Sequence, residues 1–384
     1  MFDVEMALLH HRMEGIERSV KNVDFSNSPI LGAYFQLVLS DIRQEFSELS
    51  YDMIQEGLMA EAPSTIKARY FQALSIKIAN LRILMSAIDR DLPISKLVLS
   101  QSNLPEYRRL DRMVKECLGD CNPCWILCIW DELKCLLPRP SLRSPLPVFT
   151  FIIHPESVVG TSLLYPLLFH EVGHSALSTS SSNTSFVNLG RALDRIDDEY
   201  IFRTSSAGGG SKKKLINEWN MKRYWDMWGR ELFCDYYAVL ATGPAYLHAM
   251  VNYLSGTYPF DVSPTHPPIQ LRLDFARLMS EKLGITDTGF DKNRERWNEL
   301  KAACSFQETP KFRTVNDPSF VDALVNDVLV IAQDLGIDKR NYWTLGNRDS
   351  TAIGLINVAW EKVLEDKLEV TVANEWALSR IDSL

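Results

Sequence analysis

The chain of 384 residues is 46% apolar and 23% charged, with 41 basic and 49 acidic side chains and a formal charge of −8. That apolar share can bury a core large enough to offset chain entropy, which excludes a disordered or collagen-like protein. An acidic balance with pI near 5.5 argues against general nucleic-acid binding, because neutralising phosphate needs a clustered positive surface.

At roughly 150 residues per domain, the length allows two or three units. The N-terminus, MFDVEMALLHHRMEG, lacks the basic, apolar, small-residue succession of a signal peptide, so no export is expected. The longest apolar runs, at 124–130 and 163–169, fall short of the roughly 20 residues that cross a bilayer. A soluble chain with no membrane partner follows. Seven cysteines are an odd number without the look of a disulfide scaffold, and read as reduced thiols of a cytoplasmic protein.

Up to about residue 135 the pattern is helical, with amphipathic stretches at 3–22, 30–58 and 64–90. In the third, Ile66, Tyr70, Ala73, Ile76, Leu81 and Leu84 recur at helical intervals after a Pro63-Ser64-Thr65 start. Four prolines within 138–147 then mark a turn-rich boundary. The run 147–153 is short, β-branched and aromatic, and predicts a strand. A helix over 163–176 follows, capped by Gly160-Thr161-Ser162, with Pro166 tolerated near its first turn. A further amphipathic helix at 186–202 lies between the polar tracts 178–185 and 204–214, of which the second is expected to be mobile. A long helix over 215–242 stops at Gly243-Pro244, another begins after Pro267-Pro268, and two more occupy 321–335 and, with interruption, 352–384.

Residues 170–174 read His170-Glu171-Val172-Gly173-His174 inside the expected helix. Histidines at i and i+4 project from one helix face, so both imidazoles reach one zinc ion while Glu171 lies beside them toward a bound water. A catalytic zinc site usually takes a third protein ligand and leaves the fourth position to water. Glu231 and Asp235, one turn apart in Glu231-Leu232-Phe233-Cys234-Asp235-Tyr236-Tyr237-Ala238, supply it. Glu231 can ligate, and Asp235 can accept a hydrogen bond from the far nitrogen of a ligating histidine. The apolar surroundings of these carboxylates favour such pairing, since unpaired acids there would be costly to desolvate.

HEVGH followed by ELFCDYYA resembles the HExxH and ExxxD pair of the gluzincin peptidases, most nearly the HtpX and CAAX-prenyl-protease branch. Thr265-His266-Pro267-Pro268-Ile269-Gln270-Leu271-Arg272 is similar to the HP-x-x-x-x-R segment of that branch. The likeness covers about residues 146–280 and lacks the branch's membrane helices. It implies a soluble relative: a zinc-dependent endopeptidase with one catalytic Zn2+, making a restricted, regulatory cut in a soluble polypeptide. His170, His174 and Glu231 would be ligands and Asp235 their orienter. Glu171 would take the proton of the attacking water and pass it to the leaving amine. His266, Tyr236, Tyr237 and Arg272 are candidates to stabilise the oxyanion, with His266 favoured. The strand before the metal helix is expected to border the cleft as an edge that binds extended peptide.

The expected fold is mainly α within an α+β class. It comprises a helical N-terminal region (1–140), a minimal zincin core with a small β-sheet and the HExxH helix (141–284), and a helical C-terminal region (285–384). The terminal regions are where a protein partner would dock. The alternative is a helical interaction or regulatory protein whose zinc site is structural or vestigial. Cys117, Cys121, Cys124, Cys128 and Cys135 read either as small apolar side chains of one helix face or as a second metal or redox set. Cys234 is expected to point away from the face shared by Glu231 and Asp235.

Overall fold

A computed structural model describes residues 2–54, 63–101, 104–118, 124–130, 134–136, 149–155, 160–179, 186–189, 191, 221–254, 257–263, 265–285, 289–309, 312–313, 316, 318–337 and 350–384. The chain divides into two compact units. The first comprises Met1–Leu104, Asn122–Ile129 and Leu136–Phe151; the second comprises Pro105–Cys121, Trp130–Cys135 and Ile152–Leu384.

In the first unit the amphipathic periodicity of the N-terminal sequence becomes three packed helices, α1 (Phe2–Lys21), α2 (Pro29–Ile54) and α3 (Ser64–Gln101). Leu74, Ile78, Leu81, Met85 and Ile88 of α3 are buried with Leu31, Phe35, Val38 and Ile42 of α2. α3 runs past its expected end at 90 and through Pro93, although proline cannot donate to the carbonyl four residues back. The buried Asp91 anchors this stretch: Tyr34 Oη donates to its Oδ2 at 2.5 Å and Arg90 Nε to its Oδ1 at 2.5 Å. By length and composition α3 could cross a membrane, and 39% of its most apolar window is buried.

The second unit contains α4 (Pro105–Leu118), a 3-10 helix (Ser162–Leu167), α5 (Leu168–Thr179), α6 (Met221–Thr242), α7 (Pro244–Tyr253), α8 (Ile269–Lys282), α9 (Gly289–Ala303), α10 (Pro318–Asp334), α11 (Ala352–Leu364) and α12 (Val370–Asp382). The helix expected over 163–176 is divided. Pro166 lies within its 3-10 turn, and regular α geometry begins just beyond it. Thr161 supplies no side-chain cap. That role passes to Asn374 of α12, whose Oδ1 accepts from Ser162 N at 2.7 Å and Ser162 Oγ at 2.8 Å.

Residues 285–384 pack in the same unit as the HExxH helix. Asn357 of α11 accepts from Ala245 N at 2.9 Å and donates to Thr242 O at 2.9 Å, bridging the junction of α6 and α7. That junction turns on Gly243, whose φ of 63° suits glycine. Trp360 Nε1 donates to Leu163 O at 3.0 Å, and Arg109 of α4 makes a two-pronged pair with Asp382.

The expected α+β class with a small zincin sheet is corrected: the fold is all-α. Every described buried side chain lies on a helix or a connection between helices. Among the described residues, strand is confined to three short segments, β1 (Cys124–Trp130), β2 (Lys134–Leu136) and β3 (Phe149–Pro155). Their order is β1-β3-β2, so β3, the strand expected to offer a free edge to peptide, has a neighbour on each side. The cysteine rhythm is also corrected. α4 ends at Leu118 and Cys124 begins a strand, so Cys117 does not share one helix face with Cys124 and Cys128; Cys121 lies outside the described residues. The aromatic and β-branched run Trp125-Ile126-Leu127-Cys128-Ile129-Trp130 favours extended structure. The tracts 138–147 and 204–214, most of 186–202 and the start of 215–242 lie outside the described residues.

Candidate metal centre

α5 and α6 cross closely, and Gly173 is the reason. A Cβ built on Gly173 would lie 2.8 Å from Cys234 Cα and 3.2 Å from its Sγ. Phe169 and Val172 of α5 are fully buried, as are Leu232, Phe233 and Tyr236 of α6. This apolar packing fixes both helices and leaves their polar residues facing one another. His170 and His174 rings meet edge to face at 5.0 Å.

Glu231 lies against both histidines. Its Oε2 is 3.2 Å from His170 Nε2, and its Oε1 is 3.4 Å from His174 Nε2. Zinc bonds of about 2.0–2.1 Å to nitrogen and oxygen place tetrahedral ligands roughly 3.3 Å apart. Each of these two contacts is close to that spacing, made through a different oxygen of the Glu231 carboxylate. His170 Nδ1 donates to Asp235 Oδ1 at 2.8 Å, which turns Nε2 toward Glu231 and leaves it free of its proton when it ligates.

Asp235 is fully buried and held by more than His170. Arg272 Nη2 donates to its Oδ1 at 2.7 Å, Arg272 Nε to its Oδ2 at 2.9 Å, and Tyr246 Oη to Oδ1 at 2.5 Å. Such a network meets the requirement that a buried charge be paired and hydrogen-bonded.

The electrostatics follow from these contacts. Burial opposes a charged His170, but hydrogen bonds to Asp235 and Glu231 outweigh it and raise its pKa to about 9. His174 is lowered to about 4, by burial first and then by the neighbouring His170. Burial works against the Glu231 carboxylate as well, yet its bond to His170 and the nearby positive charges lower it to about 2. Asp235 is held well below the usual carboxylate range, with burial overcome by the Arg272 guanidinium and the His170 bond.

The structure gathers His170, His174, Glu231 and Asp235. Glu171 is buried beside the first histidine at 7% exposure. His266 stands at the open side, 63% exposed, with Nε2 3.9 Å from Glu231 Oε2. Its turn is tied down by Ser263 Oγ, which accepts from His266 N at 3.0 Å, and by Trp228 Nε1, which donates to Ser263 O at 3.0 Å. Arg272, expected among the oxyanion donors, is engaged with Asp235 and orients it. Tyr236 and Tyr237 are buried and lie about 100° and 200° round the helix from Asp235.

Two residues at the centre escaped the sequence reading. Tyr246 is eleven positions beyond Asp235 on a separate helix, and no spacing rule points to it. Cys234 did carry a signal, because i, i+3 and i+4 place Glu231, Cys234 and Asp235 on one face. Its expected outward orientation is thus corrected. His170, His174 and Cys234 each offer an atom within 4.8 Å of the other two, a group able to hold a metal ion.

No protein family, no curated protein and no solved structure matches the chain.

Proposed function

We propose that the protein is a zinc-dependent endopeptidase of gluzincin type, in which His170, His174 and Glu231 hold one ion and Glu171 carries the proton. The observation that supports this reading is the pair of separations, 3.2 and 3.4 Å, between Glu231 and the two imidazoles. A bound zinc ion would supply the Lewis acid that polarises a scissile carbonyl and acidifies a water. Glu171 takes that water's proton and returns it to the leaving amine. Asp235 fixes the His170 tautomer, with Arg272 and Tyr246 holding Asp235 in turn. His266, at the exposed rim, donates to the developing oxyanion. The substrate is a soluble polypeptide of the cytoplasm, selected by the helical regions outside the motif, which exceed what the chemistry requires.

A second reading rests on Cys234. A set of His170, His174, Cys234 and Glu231 would fill all four tetrahedral positions and make the zinc structural, as closed sites are; the chain would then be a helical interaction protein. Metal analysis with Glu171→Gln separates the two. The peptidase reading expects about one zinc per chain in both forms, with cleavage of a broad peptide set by the wild type alone. A wild type that holds zinc and cleaves nothing supports the structural reading.

A further inference from the structure

We propose that the groove between α1 and α3 binds an acidic segment of a partner polypeptide, held extended along the two helices. Both helices belong to the first unit and pack on each other, and the groove between them measures about 560 Å3. One water needs roughly 10–15 Å3 of such space, so a lone inorganic anion would leave most of it empty. From His11 to Ser19 the α1 wall rises about 12 Å, the length of about four extended residues.

The groove is locally basic in a chain of net charge −8. His11, Arg12 and Lys96 line it with a single acid, Asp89. That acid is engaged by Arg12, whose Nη2 donates to its Oδ2 at 2.5 Å. The two side chains are 39% and 53% exposed, and so open a pair is worth little, so an incoming carboxylate can share the guanidinium. His11 and Lys96 are exposed, and among the described residues neither pairs with a carboxylate.

Two residues that weaken helices stand on the walls. A Cβ built on Gly15 would meet nothing within 4 Å, so no close packing requires glycine there, although a helix interior favours alanine. The missing side chain keeps the groove clear. On α3, Pro93 has no N–H, so the Asp89 carbonyl lacks the donor that a helix supplies four residues on. A peptide brings N–H groups as well as carboxylates, whereas inorganic phosphate brings mainly acceptors, and a bilayer is flat where this surface is concave. Buried Ile16, Ile88 and Leu92 form the floor. Apolar side chains at alternate positions of an extended segment rest on it, which leaves the acids at the rim beside the cations. The inference concerns the first unit alone and does not depend on the peptidase reading.

The test is calorimetric titration of the full chain with end-blocked octapeptides that alternate leucine with glutamate, glutamine or lysine, and with inorganic phosphate and phosphatidylserine vesicles. The glutamate peptide is expected to bind saturably, and more weakly as salt is added. The glutamine and lysine peptides should bind about tenfold more weakly or worse. Gly15→Leu gains helix propensity in open space, so its Tm should be unchanged or higher while the filled groove no longer binds. Lys96→Glu, at an exposed position, should keep its Tm and weaken binding about tenfold or more. Absence of saturable binding by the glutamate peptide, equal binding of the glutamine peptide, full binding by either variant, or a preference for phosphate or vesicles overturns the proposal. Self-association that Gly15→Leu abolishes, with no peptide bound by the wild type, would assign the groove to a second copy instead.

Discussion

Gly173 and Cys234 are in contact at the crossing of α5 and α6, with no room for a methyl group: a Cβ on Gly173 would meet the Cys234 backbone at 2.8 Å. Backbone cannot rotate aside as a flexible side chain does, so the helices must separate to admit one. Gly173→Ala gains about 1 kcal/mol of helix propensity, but overpacking a close crossing costs about 1–3 kcal/mol. The variant is therefore expected to be net less stable and, because His170 and His174 move away from Glu231, to bind zinc more weakly. Unfolding curves with and without chelator, together with a zinc competition assay, measure both. Unchanged stability and affinity would show that the crossing does not set the ligand spacing.

Arg272 should matter through Asp235. Arg272→Leu removes two charge-assisted bonds, at 2.7 and 2.9 Å, and leaves a fully buried carboxylate short of its cation. Breaking one side of a buried pair costs about 3–5 kcal/mol. Tyr246→Phe removes a single bond to the same oxygen, and the expected loss is smaller, about 1–3 kcal/mol. Both variants should weaken metal binding by roughly 10–100-fold, as loss of groups that orient a ligand does. Chemical unfolding and metal competition on the two variants check the order.

The unequal visibility of these residues in the sequence has a physical basis. His170, His174, Glu231 and Asp235 come from two helices whose internal spacing of four puts each pair on one face, and such spacing is written in the sequence. Tyr246 and the bidentate grip of Arg272 on Asp235 depend on how separate helices pack, which no local pattern encodes. The N-terminal helices were legible because their apolar residues repeat regularly. The run from Cys124 to Trp130 was not, because continuous apolar residues suit a buried helix as well as a strand. The strand at 147–153 was legible as a short β-branched and aromatic run and is present as β3, but the core around it is helical, which overturns the α+β class.

Asn357 ties the C-terminal helices to the end of α6. Its side chain, 4% exposed, donates to Thr242 O at 2.9 Å and accepts from Ala245 N at 2.9 Å. Asn357→Leu strands both backbone groups away from water at about 1–3 kcal/mol each. The variant should lower Tm and speed amide exchange at Ala245. Wild-type exchange at that amide would contradict this role.

Asp274 provides a pH test away from the candidate metal centre. Burial raises its folded pKa above the ordinary 3.8, against the opposing bond from Gln270. A raised acid favours the protonated form in the folded state, so stability falls as pH rises from 3.8 through the folded value and levels beyond it. Asp274→Asn, which can still accept from Gln270, removes that dependence. Its stability relative to wild type should climb across this window and then stay constant. A difference that does not vary with pH would exclude the effect.

The central claim is the identity of the ligands, and metal content of single variants tests it most directly. Wild type should hold about one zinc per chain, Glu231→Ala and His174→Ala should lose it, and Cys234→Ala should keep it. A wild type that binds no zinc, or a Cys234→Ala protein that loses the ion while Glu231→Ala retains it, would contradict the account.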